Sequence, residues 1–176
     1  MKKLTTLLII LTLITAGVFA VDNASFDLTT TVAAINAMKI TAAQFSGTTV
    51  AALTSATGVT TPYNVATAGA QSGFSGYLST LSNKRTGYYV MMSATAMTST
   101  VGQVSSYINY TVTVDNKSIT TNGATTVTPV KVVDVSSLTA ITPNSQKITL
   151  NVDSTSFNAA VEGQYTGTVT FTYTAN

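Results

Sequence analysis

The chain has 176 residues, and charged side chains make up only 8% of it, against about a quarter in ordinary soluble domains. It contains no Cys and no His, which excludes disulfides, Ser-His-Asp and Cys-His catalytic sites and most zinc sites. Eight Lys and Arg against six Asp and Glu provide no basic surface of the kind that nucleic acid requires. We therefore expect a protein with no cofactor, metal site or catalytic residues, which is not an enzyme and does not bind nucleic acid.

Residues 1–20 have the layout of a secretory signal peptide. Lys2 and Lys3 precede the apolar run 4–18, and Val18-Phe19-Ala20 offers small residues suited to cleavage before Val21. The run is short for a membrane anchor, which needs about 20 residues. We predict export and a mature chain of 156 residues (176 − 20). Loss of the two lysines leaves six positive and six negative side chains, a zero net charge that tolerates self-association.

The next segment contains two overlapping patterns. Phe26, Leu28, Thr30 and Val32 alternate with other side chains and favour a strand that runs through Val32. The conformation of residues 33–43 stays open, because the Ala-rich stretch also fits one face of a helix. Gly and Pro then break residues 46–87 into pieces that we interpret as short strands and loops.

Strand patterns dominate the rest of the chain. Residues 88–92 are continuously apolar and indicate a fully buried strand, while residues 108–114, 130–135 and 147–152 indicate further strands. Asp115-Asn116 and Asn122-Gly123 are turn signals.

The clearest alternation lies near the C-terminus. Apolar residues and one Gly occupy one face of this strand, and Thr residues 166, 168, 170, 172 and 174 occupy the other. The first set is Tyr165, Gly167, Val169, Phe171 and Tyr173. About seven strands at turn-like spacing, with no long helix, predict an all-β fold, a β-sandwich.

Three parts of the sequence carry a resemblance to a known family. They are residues 21–32, with VDN leading into FDLTTTV; residues 86–94, TGYYVMMSA; and residues 146–153 with 162–170, QKITLNVD and EGQYTGTVT. Their order and spacing resemble bacterial fimbrial subunits of the alpha-type, colonisation-factor group, which are assembled by the chaperone–usher route. Related exported β-sandwich domains have a similar C-terminal end.

The resemblance implies an immunoglobulin-like sandwich that lacks one strand, which the N-terminal extension of the next subunit supplies. Residues 21–34 would be that extension and residues 35–176 the pilin-like domain. Phe26, Leu28, Thr30 and Val32 would be the inserted side chains of the donor strand. The strand that carries Tyr165, Gly167, Val169, Phe171 and Tyr173 would border the acceptor groove.

The resemblance also implies partners and a location. The partners would be further copies of the chain or related pilins joined head to tail, a periplasmic chaperone, an outer-membrane usher and a host glycan or receptor. The protein would be a structural subunit of a surface fimbria that supports adhesion. The alternative is a self-contained secreted or cell-surface module that binds carbohydrate or another ligand, in which residues 26–32 form the first strand of a complete sandwich.

Overall fold

The computed structural model describes residues 27–176, so the predicted signal peptide and Phe26 lie outside the described residues. Residues 33–176 form one unit, and residues 27–32 belong to the preceding one. Residues 27–35 form no strand, so the strand that alternation predicts through Val32 is not present in the described part of the single chain. The first strand lies instead in the stretch whose conformation the sequence left open.

Within residues 27–176 the structure has eleven strands and two short helices. In chain order they are β1 (Asn36–Thr41), α1 (Val50–Ser55), β2 (Gly69–Ala70), β3 (Gly76–Ser82), β4 (Tyr88–Ala94), β5 (Met97–Val101), β6 (Val104–Ile108), β7 (Tyr110–Val114), β8 (Lys117–Thr120), β9 (Val130–Val135), β10 (Thr142–Val152), α2 (Ser154–Asn158) and β11 (Val169–Ala175). The all-β prediction is confirmed. The predicted number of about seven strands is too low, because β1 and β5 lie in stretches where the sequence indicated no strand and β2 and β3 lie in the irregular region 46–87. No helix of this part is long and apolar enough to cross a membrane.

The strands form two main antiparallel sheets and one hairpin. The first sheet has the order β1-β3-β10-β7-β8, and β2 pairs with part of β10. The second sheet has the order β11-β4-β9, and β5 pairs only with β6 among the named strands. One apolar core joins the two sheets, with Leu78, Val112 and Ile148 from the first and Val90 and Met92 from the second. The molecule is therefore a β-sandwich, as its alternating strands predict.

Strand β3 is buried on both faces. Leu78 faces the core, while Ser79 and Leu81 on the opposite face are also fully buried. The loop before α1 covers that outer face: the Phe45 backbone N–H donates to Ser145 Oγ on β10, at 3.1 Å. Residues 46–87 thus contain a seven-residue strand in the interior of a sheet and a short helix, which corrects the prediction of short strands and loops alone.

Strand β4 is the middle strand of the second sheet. Tyr88, Val90 and Met92 are buried, but Tyr89 and Met91 on its other face are only half-buried, so the prediction of a fully buried strand is wrong for one face. Gly87 precedes the strand with a φ of 79°. A Cβ there would lie 1.8 Å from the Val135 carbonyl oxygen, so only glycine allows β9 to approach this closely.

Candidate functional site

The two long sides of the sandwich differ. On one side the chain passes from β8 through residues 121–129 into β9, so it crosses from the first sheet to the second, and β8 contacts β9. On the other side lie β1, the edge strand of the first sheet, and β11, the edge strand of the second. Among the described residues no strand pairs with the outer edge of β11. This side of the sandwich is where a further strand could be added.

The register shows which backbone groups of β11 are free. The Asn176 N–H donates to the Gly87 oxygen, and the Thr95 N–H donates to the Thr168 oxygen. In an antiparallel ladder the residues that bond to one neighbour alternate with residues whose backbone groups point away from it. Hence the even-numbered residues of β11 bond to β4, and Val169, Phe171 and Tyr173 present their N–H and C=O groups at the free edge.

The outer edge of β1 is partly covered. The Val59 N–H donates to the Ile40 oxygen at 3.4 Å, and the Ala42 N–H donates to the Thr57 oxygen at 2.8 Å. By the same alternation, the outward backbone groups of Asn36 and Met38 lie beyond this cover. Among residues 27–176, the edge of β1 is therefore occupied near Ile40 and open towards Asn36.

A groove lies between these two edges, with a volume of about 320 Å³. Its lining consists of Met38, Lys39 and Ile40 from β1 and Val169, Thr170 and Phe171 from β11. The four apolar residues of this set are half-buried and pack against the core of the sandwich. The groove thus combines an apolar floor with free backbone donors and acceptors along its rims, which are the two requirements for binding an extended peptide strand.

A tyrosine closes the interior at one end of the groove. The Tyr173 hydroxyl donates to Asn36 Oδ1 at 3.0 Å and lies 3.2 Å from Ser82 Oγ. Its ring stacks on Tyr88, with 4.8 Å between the ring centroids. Burial raises the pKa of Tyr173, while the hydrogen bond with Ser82 lowers it. We call Tyr173, Asn36 and Ser82 the tyrosine clasp, because their side chains connect the edges of the two sheets.

The structure places three of the five predicted groove residues at the groove. Val169 and Phe171 line it and Tyr173 closes its end, whereas Tyr165 and Gly167 precede β11. Thr166 pairs with Thr98 on β5, so the residues before Val169 pair with the segment that follows β4 and not with β4 itself. The predicted strand from residue 165 therefore begins four residues later.

The predicted donor residues are accessible where they are described. Leu28 is 85% exposed and Val32 is 79% exposed, and Thr30 is also exposed. Phe26 lies outside the described residues. Met38 and Ile40, which form the opposite wall of the groove, were not among the predicted site residues. Their period-two spacing was the available signal, but the Ala-rich surroundings concealed it.

The carboxylates of the described residues are not grouped. No three of them come together in residues 27–176 as metal ligands would. Asp153 caps α2 by accepting from the Ser156 N–H at 2.7 Å, and this hydrogen bond lowers the pKa of the carboxyl group. Asp134 pairs with Lys131 at 3.1 Å. These two side chains therefore have structural partners at the surface.

Comparisons of the chain with protein-family models, with curated proteins and with solved structures found no match.

Proposed function

We propose that the chain is a structural subunit of a bacterial surface fimbria, in which the N-terminal segment of one copy adds a strand between β1 and β11 of the next. The observation that carries the proposal is the apolar groove between two edge strands, one of which has no partner on its outer side among the described residues. A long, exposed strand edge promotes uncontrolled pairing, and proteins normally cover or charge it. If the groove receives a specific strand, the edge of β11 needs neither a covering segment nor charged side chains.

The N-terminal segment has the properties of the missing strand. Leu28 and Val32 are large apolar side chains exposed to water. Each lies two positions from Thr30, so in an extended chain all three side chains point to the same face. Full burial of such a side chain contributes roughly 1.5–3 kcal/mol. Together with Phe26 and the added ladder of backbone hydrogen bonds, these anchors would produce a long-lived joint between copies.

The proposal includes the partners that the resemblance to fimbrial subunits implies. A periplasmic chaperone would cover the groove before assembly, and an outer-membrane usher would exchange it for the next copy. The chain would then be exported to the cell surface, where the fibre supports adhesion to a host glycan or receptor.

The first test changes the donor segment in the full chain. Replacing Leu28 and Val32 together by Asp places charges where the proposal requires burial, so the variant should remain monomeric at concentrations at which the parent forms chains. The matched control replaces Thr29 and Thr31 by Asp. It adds the same charge to the same segment, but on the opposite face, and should assemble like the parent. Analytical ultracentrifugation over a range of concentrations measures the difference.

A peptide of residues 21–34 tests the groove in the Leu28→Asp, Val32→Asp chain, whose own segment no longer competes. At about 100 times its Kd the peptide should stabilise the chain by about 2.7 kcal/mol. For a domain of this size, this corresponds to a rise in Tm of roughly 5–10 °C. A peptide with the same two Asp substitutions is the control. A parent chain that is monomeric at all concentrations and whose variant ignores the peptide would refute the proposal and favour the self-contained ligand-binding module.

A further inference from the structure

The open part of the groove is shorter than the segment proposed to fill it. Phe26 to Val32 covers six residue steps, about 20 Å at roughly 3.3 Å per residue. The groove lining extends only from Val169 to Phe171 on β11 and from Met38 to Ile40 on β1, two steps or about 7 Å on each strand. A strand with three apolar anchors therefore needs more length than the groove provides.

Only one direction of extension is available. Towards the Val169 end, the edge of β1 is occupied where the Val59 N–H donates to the Ile40 oxygen at 3.4 Å. Towards the other end, no described residue pairs with the outer edge of either strand past Met38 and Phe171. There, however, the tyrosine clasp fills the interior into which the next inward side chain of a docked strand would point.

We propose that the tyrosine clasp is an autoinhibitory contact that holds the groove in a short, closed form until a strand docks. This inference rests on the proposed function and adds regulation of the same site. In the closed form Tyr173 binds Asn36 and packs on Tyr88, and both sheet edges are held together at the level of β1 residue 36. Full docking requires the Tyr173 hydroxyl to leave Asn36, so the free energy of the clasp opposes binding.

The test compares peptide affinity among variants in the full Leu28→Asp, Val32→Asp chain, with the peptide of residues 21–34 as ligand. Tyr173→Phe removes the hydroxyl and keeps the ring that stacks on Tyr88. Since release of the hydrogen bonds is no longer needed, this variant should bind the peptide about tenfold more tightly while unfolding more easily when free. Asn36→Ala removes the other partner and should act in the same direction. Isothermal titration calorimetry measures both affinities.

Thr121→Val is the matched control. It deletes another buried hydroxyl, which accepts from the Tyr110 N–H at 2.9 Å, and Thr121 does not line the groove. It should lower stability and leave peptide affinity unchanged. Equal or weaker binding by Tyr173→Phe would overturn the clasp proposal and leave the fimbrial proposal intact. Absence of peptide binding both to the Leu28→Asp, Val32→Asp chain with an intact clasp and to its Tyr173→Phe variant would overturn the fimbrial proposal itself, and the clasp proposal with it.

Discussion

Tyr110 shows at the level of one residue how this sandwich connects its sheets, since the chain has no Cys and residues 27–176 contain no buried ion pair. It lies on β7 of the first sheet, and its hydroxyl donates to the Thr95 oxygen and lies 3.3 Å from the Thr168 oxygen. Thr95 follows β4 and Thr168 precedes β11, so one hydroxyl holds the ends of two strands of the opposite sheet. Burial raises the pKa of Tyr110 to about 12.

The raised pKa of Tyr110 predicts a loss of stability in alkali. A tyrosine in the unfolded chain deprotonates near pH 10. The unfolded state then binds fewer protons than the folded state, so the stabilising contribution is complete below pH 10 and is lost as the pH rises towards about 12. Tyr110→Phe should lower the free energy of unfolding at neutral pH by roughly 1–3 kcal/mol.

Urea unfolding at a series of pH values from about 8 to about 12 measures this effect. The decrease in the free energy of unfolding at alkaline pH should be smaller in Tyr110→Phe than in the parent. Part of the decrease should remain in the variant, because burial also raises the pKa of Tyr88 and Tyr173. Parallel curves for parent and variant would contradict the assignment.

At the level of elements, a series of buried and half-buried hydroxyl groups connects β1, β3 and β10. The Phe45 N–H donates to Ser145 Oγ, which lies 2.9 Å from Ser79 Oγ, and Ser79 Oγ lies 2.8 Å from Thr41 Oγ1. Thr41 Oγ1 donates to the Ala43 oxygen at 2.7 Å. The Phe45 N–H can only donate and the Ala43 oxygen can only accept, so the hydrogen bonds between them all run in one direction. Each of the three hydroxyls then donates once and accepts once.

Breaking this series in the middle should be costly. Ser79→Ala leaves the hydroxyls of Thr41 and Ser145 without their shared partner in a buried site, which should destabilise the fold by roughly 1–3 kcal/mol. Ser105→Ala is the matched control, since it breaks an exposed pair with Thr100 at 3.0 Å and should change stability by less than about 0.5 kcal/mol. Chemical denaturation measures both variants, and equal effects would contradict the role given to the hydroxyl series.

The sequence predicted the strands whose two faces differ in exposure. In β11 the alternation correctly separates half-buried Val169 and Phe171 from exposed Thr170 and Thr172. Alternation does not describe β3, because the loop before α1 buries the outer face of this strand as well. Ser79 on that face is polar but buried, and its hydroxyl is hydrogen-bonded to Thr41. Burial by a distant part of the chain leaves no periodic signal in the strand that it covers.

For a similar reason, the sequence predicted only one of the two walls of the groove. Its β11 wall follows from strict alternation, while its β1 wall, with Met38 and Ile40, lies in an Ala-rich stretch that local preference also allows to be helical. Pairing with β3, about 40 residues away, decides in favour of a strand. The start of β11 was predicted too early because the Thr166–Thr98 pairing is equally non-local.

At the level of the whole molecule, the balance of charge predicts how the proposed assembly would respond to salt. The exported chain would carry six positive and six negative side chains, and Lys39, the cation of the groove lining, already donates to the Thr54 and Ala56 oxygens. Joining of copies should therefore depend on apolar burial and backbone hydrogen bonds. We expect the assembly rate to change by no more than about twofold between about 0.05 M and about 0.5 M NaCl.

Light scattering at constant protein concentration measures this rate. A steep decrease with salt would instead indicate charge attraction between copies, and Lys39→Met would then locate it at the groove.

The position of β10 within the first sheet has a consequence for the time course of folding. This strand joins β3 to β7, and its contact between Ser145 and Ser79 spans 66 positions of the sequence. Until residues 142–152 arrive, the pair β1–β3 and the hairpin β7–β8 have no strand between them. Ladders closed over such separations form in milliseconds to seconds, against microseconds for local structure. During this interval the inner edges of β3 and β7 are unpaired, so a folding chain is most vulnerable to aggregation before residues 142–152 pair with them and the groove forms.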